Sequence, residues 1–234
     1  MNRKRVLKPA WNHPFLSAVT NGDLEYMKLL LIFDSKLVSI KDAQGNTSAH
    51  IAAAHGRVRE LEFILGLDPT LKDAVNEISN TPIHSAAESG QVPALQLLLA
   101  LSPEAALAKG AMGATPVHLA AAKGRLEAVQ LLARAHPSAL TARDRRGSTA
   151  VHYAAMHGQA DVVRFACSAR PAAARDQNDS GDTPAHLAAC NGMLEALNAL
   201  VRPDPAAAAA VNSAGQRPVD VASTPACKQL LQSL

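Results

Sequence analysis

The chain has 234 residues, of which 48% are hydrophobic and only 3% aromatic, and its formal net charge is +3. This apolar content is enough to form a folded core, and abundant alanine with few aromatic residues favours closely packed helices. The small net charge argues against general nucleic-acid binding, and the apolar runs fall short of the roughly 18 residues that a membrane span requires.

The first twelve residues are basic, with Arg3, Lys4, Arg5 and Lys8 close together. They carry neither an apolar core segment nor a small-residue cleavage site, so we do not interpret them as a secretory signal. We expect residues 1–12 to be a flexible, solvated terminus. A nuclear import signal or a contact with a lipid surface is the alternative interpretation.

One motif, Thr-x-x-His-x-Ala-Ala, then recurs five times without gaps, each copy 34 residues after the last. A glycine follows each histidine after six residues. The repeated pairs are Thr47 and His50, Thr81 and His84, Thr115 and His118, Thr149 and His152, and Thr183 and His186. A fixed period of this length predicts a solenoid built from stacked copies of one unit.

Each copy of the motif predicts a short helix. Threonine is a good N-cap, proline suits the first helical position, and histidine at the third position can reach back to the cap. A second amphipathic stretch follows and ends before a proline, as at Pro69 and Pro137, because the residue before proline disfavours helical geometry. Turn formers such as Asp42 to Gly45 then connect successive helix pairs.

The block Thr-Pro-x-His-x-Ala-Ala-x-x-Gly, preceded by Asp-x-x-Gly, resembles the ankyrin repeat over about residues 13 to 230. Tetratricopeptide repeats share the period but require a Trp, Gly and Tyr signature that is missing here. The resemblance implies an all-α ankyrin-repeat solenoid of stacked helix-turn-helix pairs with projecting turn tips. It also implies that partners bind the concave face formed by those tips and the first helices.

We expect a single ankyrin-repeat domain over residues 13–234. Terminal repeats should depart from the motif because each has only one neighbour. The N-terminal cap keeps the glycine of the motif, and the C-terminal cap carries Asp220 in place of histidine. The predicted units are the N-terminal cap 13–41, the repeats 42–75, 76–109, 110–143, 144–177 and 178–211, and the C-terminal cap 212–234.

Catalytic, metal and cofactor chemistry is disfavoured. Equivalent histidines in stacked repeats should lie about 8 to 10 Å apart, whereas zinc ligands lie about 2 Å from their metal, so we assign the motif histidines a structural role. No catalytic or phosphate-binding motif is found, and we predict no enzyme and no cofactor. The three cysteines, Cys167, Cys190 and Cys227, are widely spaced and favour a reducing, cytoplasmic location. Cys190 is either a reactive thiol or an ordinary one.

Residues that break the repeat pattern at turn tips and first-helix ends are free of the folding constraint, so partner specificity can reside there. The candidates are Ile78, Asn80, Glu88, Met112, Lys123, Arg145, Arg146, Ser148, Met156, His157, Asp179, Asp182, Cys190 and Asn191. Within this set, methionine, isoleucine and arginine are the types enriched in interface cores.

We therefore predict a non-catalytic protein-interaction scaffold, either a regulator or an effector delivered into the cytosol or nucleus of a host. Arginine-rich stretches around the fourth repeat favour an acidic segment of another protein as its partner. The chain should be a monomer when unbound. The alternatives are a dedicated chaperone or an immunity-like inhibitor of one partner and, with little support, an enzyme or enzyme subunit.

Overall fold

The computed structural model describes residues 13–233, so the basic start of the chain, residues 1–12, lies outside the described residues. Fourteen α-helices form within this range, and no strand occurs in it apart from an isolated bridge between Lys41 and Thr47. Twelve of the helices form six consecutive pairs. The pairs are α1 (Pro14–Asn21) with α2 (Leu24–Phe33), α3 (Ser48–Ala54) with α4 (Val58–Leu67), α5 (Pro82–Ser89) with α6 (Val92–Leu101), α7 (Pro116–Ala122) with α8 (Leu126–Ala135), α9 (Ala150–Met156) with α10 (Ala160–Ala169), and α11 (Pro184–Cys190) with α12 (Leu194–Val201). The short α13 (Ala206–Ala209) and then α14 (Pro225–Gln232) complete the C-terminal end.

The first helix of each pair is short because both of its ends are specified. In α5, Thr81 forms the N-cap, Pro82 occupies the first turn, and Gly90 adopts a left-handed conformation with φ 75° that ends the helix. The paired motif alanines, such as Ala120 and Ala121, have no exposed surface. Their small side chains let neighbouring first helices approach closely, and this forms a continuous core along the stack.

The second helices end before proline, as the sequence predicts. At four of the five prolines the preceding residue is extended, as at Asp68 with φ −141° and ψ 93°, and a 3-10 helix begins at the proline itself. These 3-10 segments span Pro69–Asp73, Pro103–Leu107, Pro137–Thr141 and Pro171–Arg175. In the first pair, Ser35–Ser39 forms the same segment without a proline. Pro205 precedes α13 instead.

The turn tips stack on one another through the backbone. The amide of Arg145 donates to the carbonyl oxygen of Met112 at 2.9 Å, and the amide of Asp179 donates to that of Arg146 at 2.9 Å. Between the second and third repeats a side chain supplies the contact, because Asn80 Oδ1 accepts from the amide of Ala111 at 3.0 Å. The tips are therefore held in register along the stack.

Candidate functional site

The five motif histidines connect successive repeats. In each motif the threonine amide donates to histidine Nδ1, at 3.1 Å between Thr115 and His118. Nδ1 is therefore the acceptor and Nε2 carries the proton. Nε2 donates to a backbone carbonyl thirty residues later, as from His118 to Ser148 at 3.0 Å. The other four hydrogen bonds of this kind join Nε2 to a backbone carbonyl oxygen, from His50 to Asn80, His84 to Ala114, His152 to Asp182 and His186 to Gln216.

Burial favours the neutral form of four of these imidazoles. Desolvation lowers the pKa of His50, His118 and His152, and it lowers the pKa of His84 to about 4. The hydrogen bonds to backbone carbonyls act in the opposite direction, but burial is the larger effect. With Nδ1 occupied and Nε2 protonated, such a ring offers no lone pair to a metal ion. Within residues 13–233, no cluster of three or more His, Cys, Asp or Glu side chains could hold a metal ion.

A groove of about 660 Å³ lies between the turn tips and the first helices of the central repeats. We call it the finger groove. The tips of the third, fourth and fifth repeats form its walls, and α9 and α11 form its floor. Its lining residues are Met112, Asp144, Arg145, Arg146, Ser148, His152, Tyr153, Met156, Asn178, Asp179, Ser180, Asp182 and Leu187.

The finger groove brings together half of the residues singled out from the sequence. These are Met112, Arg145, Arg146, Ser148, Met156, Asp179 and Asp182. The remaining candidates lie elsewhere: Ile78, Asn80, Glu88, Lys123, His157, Cys190 and Asn191 do not line it. Among these, Lys123 forms an ion pair with Glu88 at 3.4 Å across neighbouring first-helix ends.

Two of the candidates are buried rather than exposed. Asn80 has 6% of its surface exposed, and its side chain fixes the next tip through Ala111. Ser148 has 7% exposed, and its amide donates to Asp144 Oδ1 at 2.8 Å. Because their surfaces are covered by their own chain, neither residue is available to a large partner.

Sequence reasoning missed the aromatic part of the floor. Tyr153 occupies the motif position between His152 and Ala154, where the other copies carry Ile51, Ser85, Leu119 and Leu187. Its hydroxyl donates to Asp144 Oδ2 at 2.9 Å, and its ring packs edge-on against His118 with the ring centroids 5.1 Å apart. Burial, followed by the bond to Asp144, raises the pKa of Tyr153 to about 12. An aromatic residue at a position that is non-aromatic in the other copies was the signal in the sequence that could have identified Tyr153.

Some charged groups of the finger groove have partners within the protein, and others do not. Asp144 is committed to its own turn, because Oδ1 also accepts from the amide of Arg146 at 2.8 Å. The guanidinium groups of Arg145 and Arg146 are exposed, and no carboxylate within residues 13–233 pairs with either. One wall of the groove therefore offers two free positive charges beside the apolar side chains of Met112 and Met156.

Four other arginines of this region already have partners within the protein. Arg164, Arg170 and Arg175 pair with Asp161, Asp176 and Asp204, respectively. Arg143 donates through Nη1 to the carbonyl oxygens of Gly147 and Gln177 at 2.8 and 2.7 Å. The arginine-rich stretches are thus not one continuous positive surface.

Comparisons with known proteins agree with the repeat fold described above. A family model described as ankyrin repeats (3 copies) matches residues 61–144 and 136–213. The human ASB11 ankyrin repeat domain is 20% identical, with a TM-score of 0.77, and the match covers 95% of this chain and 97% of that one. The ankyrin repeat domain of Bcl-3, described as a unique member of the IkappaB protein family, is 22% identical, with a TM-score of 0.71 and coverage of 94% and 98%. No curated protein sequence matches the chain.

None of the helices in residues 13–233 is both long and apolar enough to cross a membrane. The family model covers more than half of the sequence, and the 34-residue motif, the capping pattern and the structural neighbours agree with it. The chain therefore belongs to the ankyrin-repeat family.

Proposed function

We propose that this protein is a non-catalytic interaction scaffold that holds a segment of another protein in the finger groove. Ankyrin repeats are generally protein-protein interaction modules. The observation that carries the proposal is the convergence of Met112, Tyr153 and Met156 with the unpaired Arg145 and Arg146 at one groove. Tyrosine and arginine dominate binding hot spots, and methionine adapts its shape to a partner.

The bound segment should combine an acidic residue with a neighbouring large apolar side chain. The apolar side chain would pack on Tyr153 and Met156, while a carboxylate would reach the guanidinium groups of Arg145 and Arg146. Arginine pairs with carboxylates through two parallel hydrogen bonds, which fixes the orientation of the partner as well as its affinity. Asp179, exposed on the tip of the next repeat, would repel a second acidic residue there.

We further propose that the unbound protein is a monomer that acts in a reducing compartment such as the cytosol, as a regulator or as an effector delivered to a host. All three cysteines are free, and Cys190 is exposed, which is consistent with a compartment where thiols stay reduced. The C-terminal unit carries Asp220 in place of the motif histidine, a departure typical of a capping unit.

Photo-crosslinking from within the groove tests the proposed site. A benzoylphenylalanine at position 156 should crosslink a partner in native lysate, and mass spectrometry should place the crosslink in an acidic and apolar segment. The double variant Arg145→Glu/Arg146→Glu should lose capture of the same protein. The purified segment should then bind wild type with at least tenfold higher affinity than the variant.

The matched control is Arg59→Glu/Arg202→Glu, which changes the net charge equally at exposed arginines that do not line the groove. It should capture the partner as well as wild type does. If the groove variant and the control retain the partner equally, the finger groove is not the binding site. Unchanged helical circular dichroism in both variants ensures that folding does not explain a loss.

A further inference from the structure

The outer edge of the stack, where the second helices end, carries a second surface that goes beyond the proposed function. Large apolar side chains are exposed there at equivalent positions of successive repeats. Phe33 has 80% of its surface exposed, Leu67 has 53% and Leu101 has 51%, and Ile32 beside Phe33 has 80%. We call the row formed by Ile32, Phe33, Leu67 and Leu101 the outer strip.

Notches recur in register along this edge. One notch lies between α2 and α4 and contains Ile32 and Leu67, and the next lies between α4 and α6 and contains Leu65 and Leu101. A third lies between α8 and α10 and contains Phe165. Their volumes are about 370, 340 and 590 Å³. Each is bordered by the start of the segment that follows the second helix, at residues 35, 69 and 137.

The strip changes from apolar to basic along the stack. Arg134 occupies the position that Ile32 holds in the first pair, 102 residues earlier, and it lines the third notch together with Arg170. Arg134 is exposed, and no carboxylate of the described residues pairs with it. Arg170 pairs with Asp176, yet its buried Nε has no acceptor within residues 13–233. One end of the row is therefore apolar, and the other carries the unpaired positive charge of Arg134.

The spacing of the notches favours one conformation of a bound peptide segment. Stacked helices lie about 8 to 10 Å apart, and an α-helix advances about 10.5 Å in seven residues, after nearly two full turns. Every seventh residue of a helix lying along the stack would meet successive notches on one face. A β-strand advances a similar distance in three residues, but its side chains alternate between faces. A polyproline II segment matches the period, but it has no internal backbone hydrogen bonds and needs its backbone solvated, which an apolar surface does not provide.

We propose that the outer strip binds an amphipathic helix of a partner protein, whose apolar residues recur every seven positions and whose acidic end contacts Arg134. A helix satisfies its own backbone hydrogen bonds and so can lie on an apolar surface. The complementary charges fix its direction along the stack. Since the finger groove is lined by different residues, both surfaces can be occupied at once.

A labelled synthetic helix of about 22 residues is the probe, with leucine at every seventh position and three glutamates in its first turn. Fluorescence anisotropy should show saturable binding to the full chain. The variant Leu67→Glu/Leu101→Glu should weaken binding at least tenfold, and its exposed positions should leave circular dichroism unchanged. Arg134→Glu should also weaken binding, and a peptide with lysines in place of the glutamates should restore it.

Two controls locate the binding. The finger-groove variant Arg145→Glu/Arg146→Glu should bind the helix as wild type does, and a peptide of identical composition with its leucines spread around the helix should not bind. Absence of saturation with wild type, or equal affinity for both leucine arrangements, overturns the proposal.

Other occupants of the strip give different results. A dimer detected by light scattering and dissolved by Leu67→Glu/Leu101→Glu would show that a second copy covers it. Sedimentation with anionic vesicles that the same variant abolishes would assign it to a lipid surface. A proline-rich peptide with apolar residues every third position that binds better than the helix would assign it to an extended partner. Each of these results overturns the helix proposal, and none of them depends on the finger groove.

Discussion

The Nε2 atom of His118 lies 3.0 Å from the carbonyl oxygen of Ser148, thirty residues further along the chain and in the next repeat. Nδ1 of the same ring accepts a hydrogen bond from the backbone amide of Thr115. One side chain thus caps its own helix and connects two repeats, so its loss removes a local and a long-range interaction together.

His118→Ala should destabilise the fold by roughly 2 to 4 kcal/mol. The substitution leaves the Thr115 amide and the Ser148 carbonyl group without their partner in a buried site, and loss of a cap and of a buried hydrogen bond each cost about 1 to 2 kcal/mol or more. Urea denaturation followed by circular dichroism measures the loss. His157→Ala, at an exposed histidine, is the control and should change stability by less than about 0.5 kcal/mol. Equal effects would contradict the double role of His118.

Stability should fall as the pH is lowered from 7.5 to 5. The pKa of His84 is about 4 in the folded chain and about 6.5 without burial, so the unfolded chain binds more protons between these values. The stabilisation is complete above pH 6.5 and is lost as the pH falls towards 4. His84 alone should account for about 2 kcal/mol at pH 5, and His50, His118 and His152 act in the same direction.

Urea titrations at several pH values, with the variant His84→Gln for comparison, measure this dependence. The variant should be less stable at pH 7.5 but should lose less stability on acidification than wild type does. A free energy of unfolding that stays constant between pH 7.5 and 5 would show that the histidines titrate normally in the folded chain.

Ser79→Gly should stabilise the protein by about 0.5 to 1 kcal/mol. Ser79 has φ 66° at the turn position where the other tips carry glycine, and left-handed geometry is strained for a residue with a Cβ atom. The reverse change, Gly147→Ala, should destabilise, since Gly147 has φ 71° and an added Cβ atom would lie 3.0 Å from the backbone nitrogen of Asp179. Thermal denaturation should therefore shift in opposite directions for the two variants, and a shift in the same direction would refute the strain.

One thiol should react quickly with Ellman's reagent in the folded protein. Cys190 is exposed and Cys227 is buried, and burial raises the pKa of Cys167 to about 11, which leaves little thiolate at pH 8. Cys190→Ser should remove the fast phase, and all three thiols of wild type should react in urea. A fast phase that survives Cys190→Ser would place the reactive thiol elsewhere.

The fold could be predicted because each repeat is specified by nearby residues. The Thr and His of the motif, the glycine after the first helix and the proline after the second lie within 34 residues of one another and act through local geometry. The 3-10 helices that begin at Pro69, Pro103, Pro137 and Pro171 were not predicted. They depend on how the chain turns away from the end of the second helix, which no short pattern describes.

The residues that line the finger groove could be predicted only in part. Departure from the repeat pattern identified Met112, Arg145, Arg146 and Met156, because their positions carry no folding constraint. The same criterion selected Asn80, whose side chain instead holds the neighbouring tip in place. Variability along a sequence does not distinguish a side chain free to bind from one that compensates for a change in the next repeat.

The sequence by itself determined the family, the helix pairs and their order, because capping and helix termination act between residues close in the chain. Only the tertiary structure decided which variable residues share a groove and which arginines remain unpaired. It alone also showed that Phe33, Leu67 and Leu101 form an exposed row. These properties depend on distances between repeats, and such distances are set by packing along the whole stack.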